Sequence, residues 1–115
     1  MPNTDRPKPA PSSAEPHREQ GLPAFISAHR QQIQTLAVRH GARNLRLFGS
    51  CARGDSRPDS DVDFLVEAGP QTSSWFPAGM VLDLQEILGR KVDVVTEAAL
   101  HPLMRAEVLA QAIPL

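Results

Sequence analysis

Three aspartates stand where acids are uncommon, in runs of strand-forming residues. Asp61 and Asp63 bracket the start of the apolar run Val62, Phe64, Leu65, Val66. Two apart on a strand, they point to one face. Asp93 lies inside a second such run, Val92 to Val95. If the two runs are neighbours, three carboxylates converge. Two carboxylates about 4 Å apart repel by roughly 4 kcal/mol at an effective dielectric of about 20, so such a cluster either protonates or holds a cation. A donor set of carboxylate oxygens alone favours a hard ion, Mg²⁺ or Mn²⁺. The alternative is that Asp61 is a turn residue and Asp93 an exposed edge acid, and spacing alone does not separate the two.

Gly49 and Ser50 precede this pair. A glycine at the end of a strand lets the backbone approach a ligand closely. Ser50 can begin a helical turn whose free N–H groups and positive end suit phosphate. Arg53, one turn on, can reach the same anion, or it can pair with Asp55 or Asp59 in its own loop. A Gly-Ser pair by itself is an ordinary turn. Beside a carboxylate metal site it becomes the equipment for phosphoryl or nucleotidyl transfer.

The elements that must position these groups follow from the apolar spacing. Leu22 to His40 repeats apolar residues at helical intervals, with Pro23 in its first turn and Gly41 at its end. Leu45 to Phe48 reads as a strand. Residues 49–60 read as a loop with one helical turn from Ser50. Val62 to Val66 is the second strand, and 69–74 a polar linker. Met80, Val81, Leu84, Ile87 and Leu88 form one helix face stopped by Gly89. Val92 to Val95 is the third strand, and His101-Pro102 opens a last helix with Leu103, Met104, Val108 and Leu109 apolar. The expected fold is mixed α/β (α+β): a small, mixed, three-stranded sheet flanked by helices. A helix between the second and third strands permits a crossover, and strand direction stays open.

Composition bounds the rest. The chain has 115 residues and a formal net charge of −1. Five of its 11 prolines, Pro2, Pro7, Pro9, Pro11 and Pro16, fall in the first twenty residues among polar side chains. That stretch buries too little to offset its ordering entropy, so residues 1–20 are expected to be a disordered Pro-rich tail and residues 21–115 the folded domain. No apolar run approaches the roughly 20 residues of a membrane span, and no signal-peptide pattern opens the chain. One cysteine, Cys51, excludes a disulfide framework. The near-neutral charge argues against strong nucleic-acid binding. A cytoplasmic location is expected.

The run Leu47-Phe48-Gly49-Ser50-Cys51-Ala52-Arg53-Gly54, followed by Ser60-Asp61-Val62-Asp63-Phe64-Leu65-Val66, resembles the signature of polymerase-β-type nucleotidyltransferases. Gly-Ser and Asp-x-Asp stand at that family's spacing. Ala-Arg-Gly and Ser-Asp-x-Asp are typical of its minimal nucleotidyltransferase (MNT) branch. Leu88-Gly89-Arg90-Lys91-Val92-Asp93-Val94-Val95-Thr96 is similar to the third-carboxylate strand, and Leu100 to Leu115 to the closing helix.

The resemblance implies a nucleotidyltransferase (polymerase-β-like) fold over about residues 25–115. By the same resemblance Asp61 and Asp63 ligate two Mg²⁺ ions, and Asp93 completes the second site and helps deprotonate an acceptor hydroxyl. Gly49 and Ser50 hold the β- and γ-phosphates of ATP, with Arg53 as a weaker triphosphate contact. Proteins of this branch commonly act as antitoxins that transfer AMP to a tyrosine of a helical HEPN-type ribonuclease toxin. This chain has no tyrosine, so such an acceptor lies on another protein. Other hypotheses keep the chemistry with a small molecule or an RNA end as acceptor, or drop it for a partner-binding module that uses Trp75, Phe76 and the last helix.

Other residues read as structural. Cys51 is a small packed side chain rather than a nucleophile, and His17, His29, His40 and His101 are too scattered to bind a metal. His40 is expected to face a helix dipole, Asp83 and Glu86 to be solvated, and Arg90-Lys91 to form an exposed turn. Trp75-Phe76 is read first as core, lid or partner interface, and second as a base-stacking platform.

Overall fold

The structure, a computed structural model, describes residues 21–115. The expected tail, residues 1–20, lies outside the described residues. In chain order the elements are α1 (Ala24–Ser27), α2 (Arg30–Arg39), β1 (Ala42–Phe48), α3 (Ser50–Arg53), β2 (Val62–Ala68), α4 (Ala78–Leu88), β3 (Val92–Thr96), a 3₁₀ turn (Glu97–Ala99), α5 (Pro102–Gln111) and β4 (Ile113–Pro114).

One mixed sheet has the order β3-β2-β1-β4. β1 is antiparallel to β2 and to β4, whereas β2 and β3 are parallel and joined through α4. Alternation sets the two faces. Leu47, Val62, Phe64, Val66, Val92 and Val94 point to one side and are buried with Ile26, Ile33, Leu36, Met80 and Leu84 of the helices. Asp63, Leu65 and Glu67 point to the other side, with their register partners Phe48, Arg46 and Asp93. Leu65 is fully buried there, apart from the main core. Arg46 Nη2 lies 2.7 Å from Glu97 Oε2, and Arg105 reaches Glu97 Oε1 at 3.1 Å, which fastens the start of α5 to this side. The Arg46 guanidinium, then Arg105, hold the Glu97 carboxyl below its ordinary range.

Four expectations are corrected. The single helix over Leu22–His40 is broken between Ser27 and Arg30. His29 N bonds Ile26 O at 3.0 Å, a three-residue step, and its ring Nδ1 takes Phe25 O at 2.9 Å, the carbonyl a continuous helix would use. The sheet has four strands rather than three. The C-terminal stretch stops being helical at Gln111 and returns as β4, with Leu115 N on Leu45 O at 3.0 Å. β1 also begins earlier, at Ala42, across a bulge at Asn44 (φ 54), a left-handed conformation that asparagine tolerates.

Candidate active site

The parallel register sets Asp63 directly beside Asp93, on strands about 4.8 Å apart. Asp61 precedes β2 by one residue and shares the face of Asp63. On the other flank of β2, Phe48 pairs with Asp63, so Gly49 and Ser50 emerge where the acids stand. Residues separated by more than forty positions thus meet at one end of the sheet.

Gly49 has φ 77, and a Cβ built there would collide with Asp63 Oδ2. Only glycine combines that backbone angle with such an approach. Ser50 opens α3, whose single turn ends at Gly54 (φ 84) in the left-handed region. Beneath it Cys51 is buried, its Sγ 3.8 Å from Asp61 O, in keeping with a packing role.

Asp63 is half-buried while Asp61 and Asp93 are exposed. Burial first, then the charge of Asp93 and then that of Asp61, push the Asp63 carboxyl from its ordinary 3.8 up to about 6, with Arg53 pulling the other way. The three acids therefore sense one another. They do not close on a point: among the described residues no group of three acidic, His or Cys side chains is already arranged to hold a metal ion. The donor chemistry still fits Mg²⁺ or Mn²⁺, since the set is all carboxylate oxygen and burial and its neighbours disfavour the charge of its central member, a cost that a bound cation would offset. Arg53 forms the loop ion pair foreseen as its alternative, Nε to Asp55 Oδ2 at 3.3 Å, with both side chains exposed. Asp59 is not its partner there.

Other residues depart from expectation. His40 stands at the C-terminal end of α2, and two side chains from elsewhere hold its ring. It is buried, with Nδ1 2.6 Å from Ser73 Oγ and Nε2 2.7 Å from Asp83 Oδ2, so Asp83 is a partner rather than merely solvated. Phe76 packs on the core, and Trp75 is 83% exposed at φ 66. Both follow the far end of β2, away from Asp63, so a base stacked on Trp75 would lie away from the acids. Lys91 is exposed as expected. Arg90 is not: its Nη2 donates to Arg57 O at 2.7 Å and Ser60 O at 2.9 Å, and its guanidinium lies 4.4 Å over the Phe25 ring. The only hint in the sequence was an arginine directly after a helix-ending glycine. A cleft of about 460 Å³ between α2 and α4, lined by Thr35, Leu36, Asp83 and Ile87 among others, contains none of the three acids.

The nucleotidyltransferase domain family matches residues 29–115. A candidate protein adenylyltransferase of Methanocaldococcus jannaschii is 34% identical over 88 residues, 76% of this chain and 95% of that protein. The solved structure of a candidate minimal nucleotidyltransferase is 43% identical, with a TM-score of 0.71 over 78% of this chain and 92% of that one. A toxin–antitoxin crystal structure with AMP-PNP matches at a TM-score of 0.63 and 22% identity, over 73% of this chain and 69% of the matched one, a likeness of fold alone. Among the described residues no helix is long and apolar enough to cross a membrane.

Proposed function

The chain belongs to the nucleotidyltransferase domain family, and from that premise we propose that it transfers AMP from ATP to a hydroxyl of a partner protein, as the antitoxin of a pair whose toxin is of the HEPN type. The observation that carries this reading is the meeting of Asp61, Asp63 and Asp93 with Gly49 and Ser50 at one end of the sheet. The name of the M. jannaschii relative supports a protein acceptor, and the fold shared with a toxin–antitoxin structure agrees with the pairing. With no tyrosine in the chain, a tyrosine acceptor must belong to the partner. ATP as donor makes the cytoplasm the setting.

In this reading Asp61, Asp63 and Asp93 would hold Mg²⁺, two ions by likeness to the family, or Mn²⁺ in their place. When bound, the metal offsets triphosphate charge and lowers the pKa of the acceptor hydroxyl. The Gly49 and Ser50 N–H groups and the Ser50 hydroxyl donate to the β- and γ-phosphate oxygens, and the missing Cβ of Gly49 lets this backbone lie against the Asp63 carboxylate. Arg53 exchanges Asp55 for a phosphate oxygen, because an exposed pair of that kind is worth less than about 1 kcal/mol. Asp93 accepts the hydroxyl proton as the oxygen attacks the α-phosphorus, the bond to the bridging oxygen breaks, and pyrophosphate leaves.

The test is incubation with α-labelled ATP, Mg²⁺ and a candidate HEPN-type partner protein. Label is expected on that protein with the wild type and not with Asp61→Asn/Asp63→Asn. Label on a small molecule or an RNA end would select a different acceptor. Neutralisation undiminished in the double variant, without label, would favour a binding module, a role for which exposed Trp75, Leu103 and Met104 are available.

A further inference from the structure

Asp61 lies outside the regular ladder, so its carboxylate is only as well set as the turn that delivers it. That turn closes on itself: Ser60 N bonds Arg57 O at 2.9 Å, and Arg57 N bonds Ser60 Oγ at 2.8 Å. One side of Asp61 is tied by Val62 N to Lys91 O at 2.9 Å. The other side is tied by Arg90. Gly89, at φ 65, reverses the chain out of α4, and the next side chain turns back under the loop. Its Nη2 donates to both Arg57 O and Ser60 O, while the flat guanidinium rests on Phe25 of α1. A guanidinium can make charge-assisted bonds to two carbonyls while its flat face stacks on a ring, whereas an ammonium has the charge and the donors but no flat face.

We propose that Arg90 is a positioning residue for the carboxylate site: clamped between Phe25 and the Arg57–Ser60 turn, it sets the placement of Asp61. The inference rests on the reading of Asp61 as a metal ligand. Arg90 contacts neither nucleotide nor acceptor in this role. It acts on metal affinity through the turn, as outer-shell partners of metal ligands do.

The experiment uses the full chain and its variants Arg90→Lys and Arg90→Ala, with Mn²⁺ titrated by calorimetry and amide exchange followed along the chain. Arg90→Lys keeps the charge and a donor but loses the planar face. Both variants are expected to keep slow exchange in α2 and in β2 beyond Val62, to exchange faster over residues 57–62, and to bind Mn²⁺ about tenfold more weakly or worse. Excess Mg²⁺ should restore their transfer rate, which a loss of fold would not allow. Wild-type exchange over 57–62 in Arg90→Ala would overturn the proposal. So would faster exchange there with wild-type Mn²⁺ affinity, which would make the clamp structural only. A wild type that binds no Mn²⁺ would instead sink the nucleotidyl-transfer reading, and the exchange data would still decide whether Arg90 holds the turn.

Discussion

Asp63 carries the electrostatic cost of the site. Its folded carboxyl titrates near 6 rather than 3.8, so in that window the native chain binds more protons than the unfolded chain and stability falls as pH rises. The full difference corresponds to about 3 kcal/mol, and because the side chain is half in water we reduce it to about 1–2 kcal/mol. Asp63→Asn is therefore expected to unfold at higher urea than the wild type above pH 6, by about that free energy, in the absence of divalent metal. It should also flatten the pH dependence between 3.8 and about 6. Added Mg²⁺ should stabilise the wild type and leave the variant unchanged. Gly49 is the second residue on which the geometry turns. Gly49→Ala meets both an unfavourable φ of 77 and the Asp63 carboxylate. Denaturation should show a loss of about 1–2 kcal/mol, and label transfer a fall of about 100-fold, since the acid must move by a large fraction of an ångström.

At the scale of elements, β2 is the hub. Its start brings Asp63 beside Asp93, and beyond its far end the linker carries Ser73, which with Asp83 grips His40 at the end of α2. That grip is structural. His40→Ala should cost about 1–2 kcal/mol in urea unfolding by removing a buried ring and its two hydrogen bonds to partly exposed partners, while the transfer rate per folded molecule stays at the wild-type level. Such locks were not legible in the sequence, because His40, Ser73 and Asp83 are distant in the chain and follow no period. The three main strands, the helix over 80–88 and the turn at Ser50 were legible, since their apolar spacing and their glycines act locally. The break at His29 depends on a ring nitrogen outcompeting a helical N–H for Phe25 O. The two-residue β4 is too short for any periodicity and forms only because β1 offers an edge. The acids were legible as a set for the opposite reason: a charge inside a strand-forming run is conspicuous, and a motif with fixed spacing names its partners. Arg90 has no such motif, and its role depends on a ring from α1 and a turn some thirty residues away in the chain.

For the whole molecule, the sheet divides the labour. One face is packed under α1, α2 and α4. The other carries the acids, with Asp61 and Asp93 exposed, beside an α5 that buries Val108 and leaves Leu103 and Met104 open. An open acidic face suits an acceptor that brings its own shape, as a protein side chain does, better than a small molecule that needs enclosure. The M. jannaschii relative is matched over 95% of its length, so the likeness takes in nearly all of that protein. The claim that rests on this arrangement is that the face transfers AMP to another protein. It is tested most directly by the intact mass of a candidate HEPN-type partner protein after co-expression with this chain. With the wild type that protein should gain the mass of an adenylyl group, AMP less one water, located to a tyrosine by peptide mapping, and with Asp61→Asn/Asp63→Asn it should gain none. An unmodified partner beside the wild type, or equal modification by the double variant, would contradict the account.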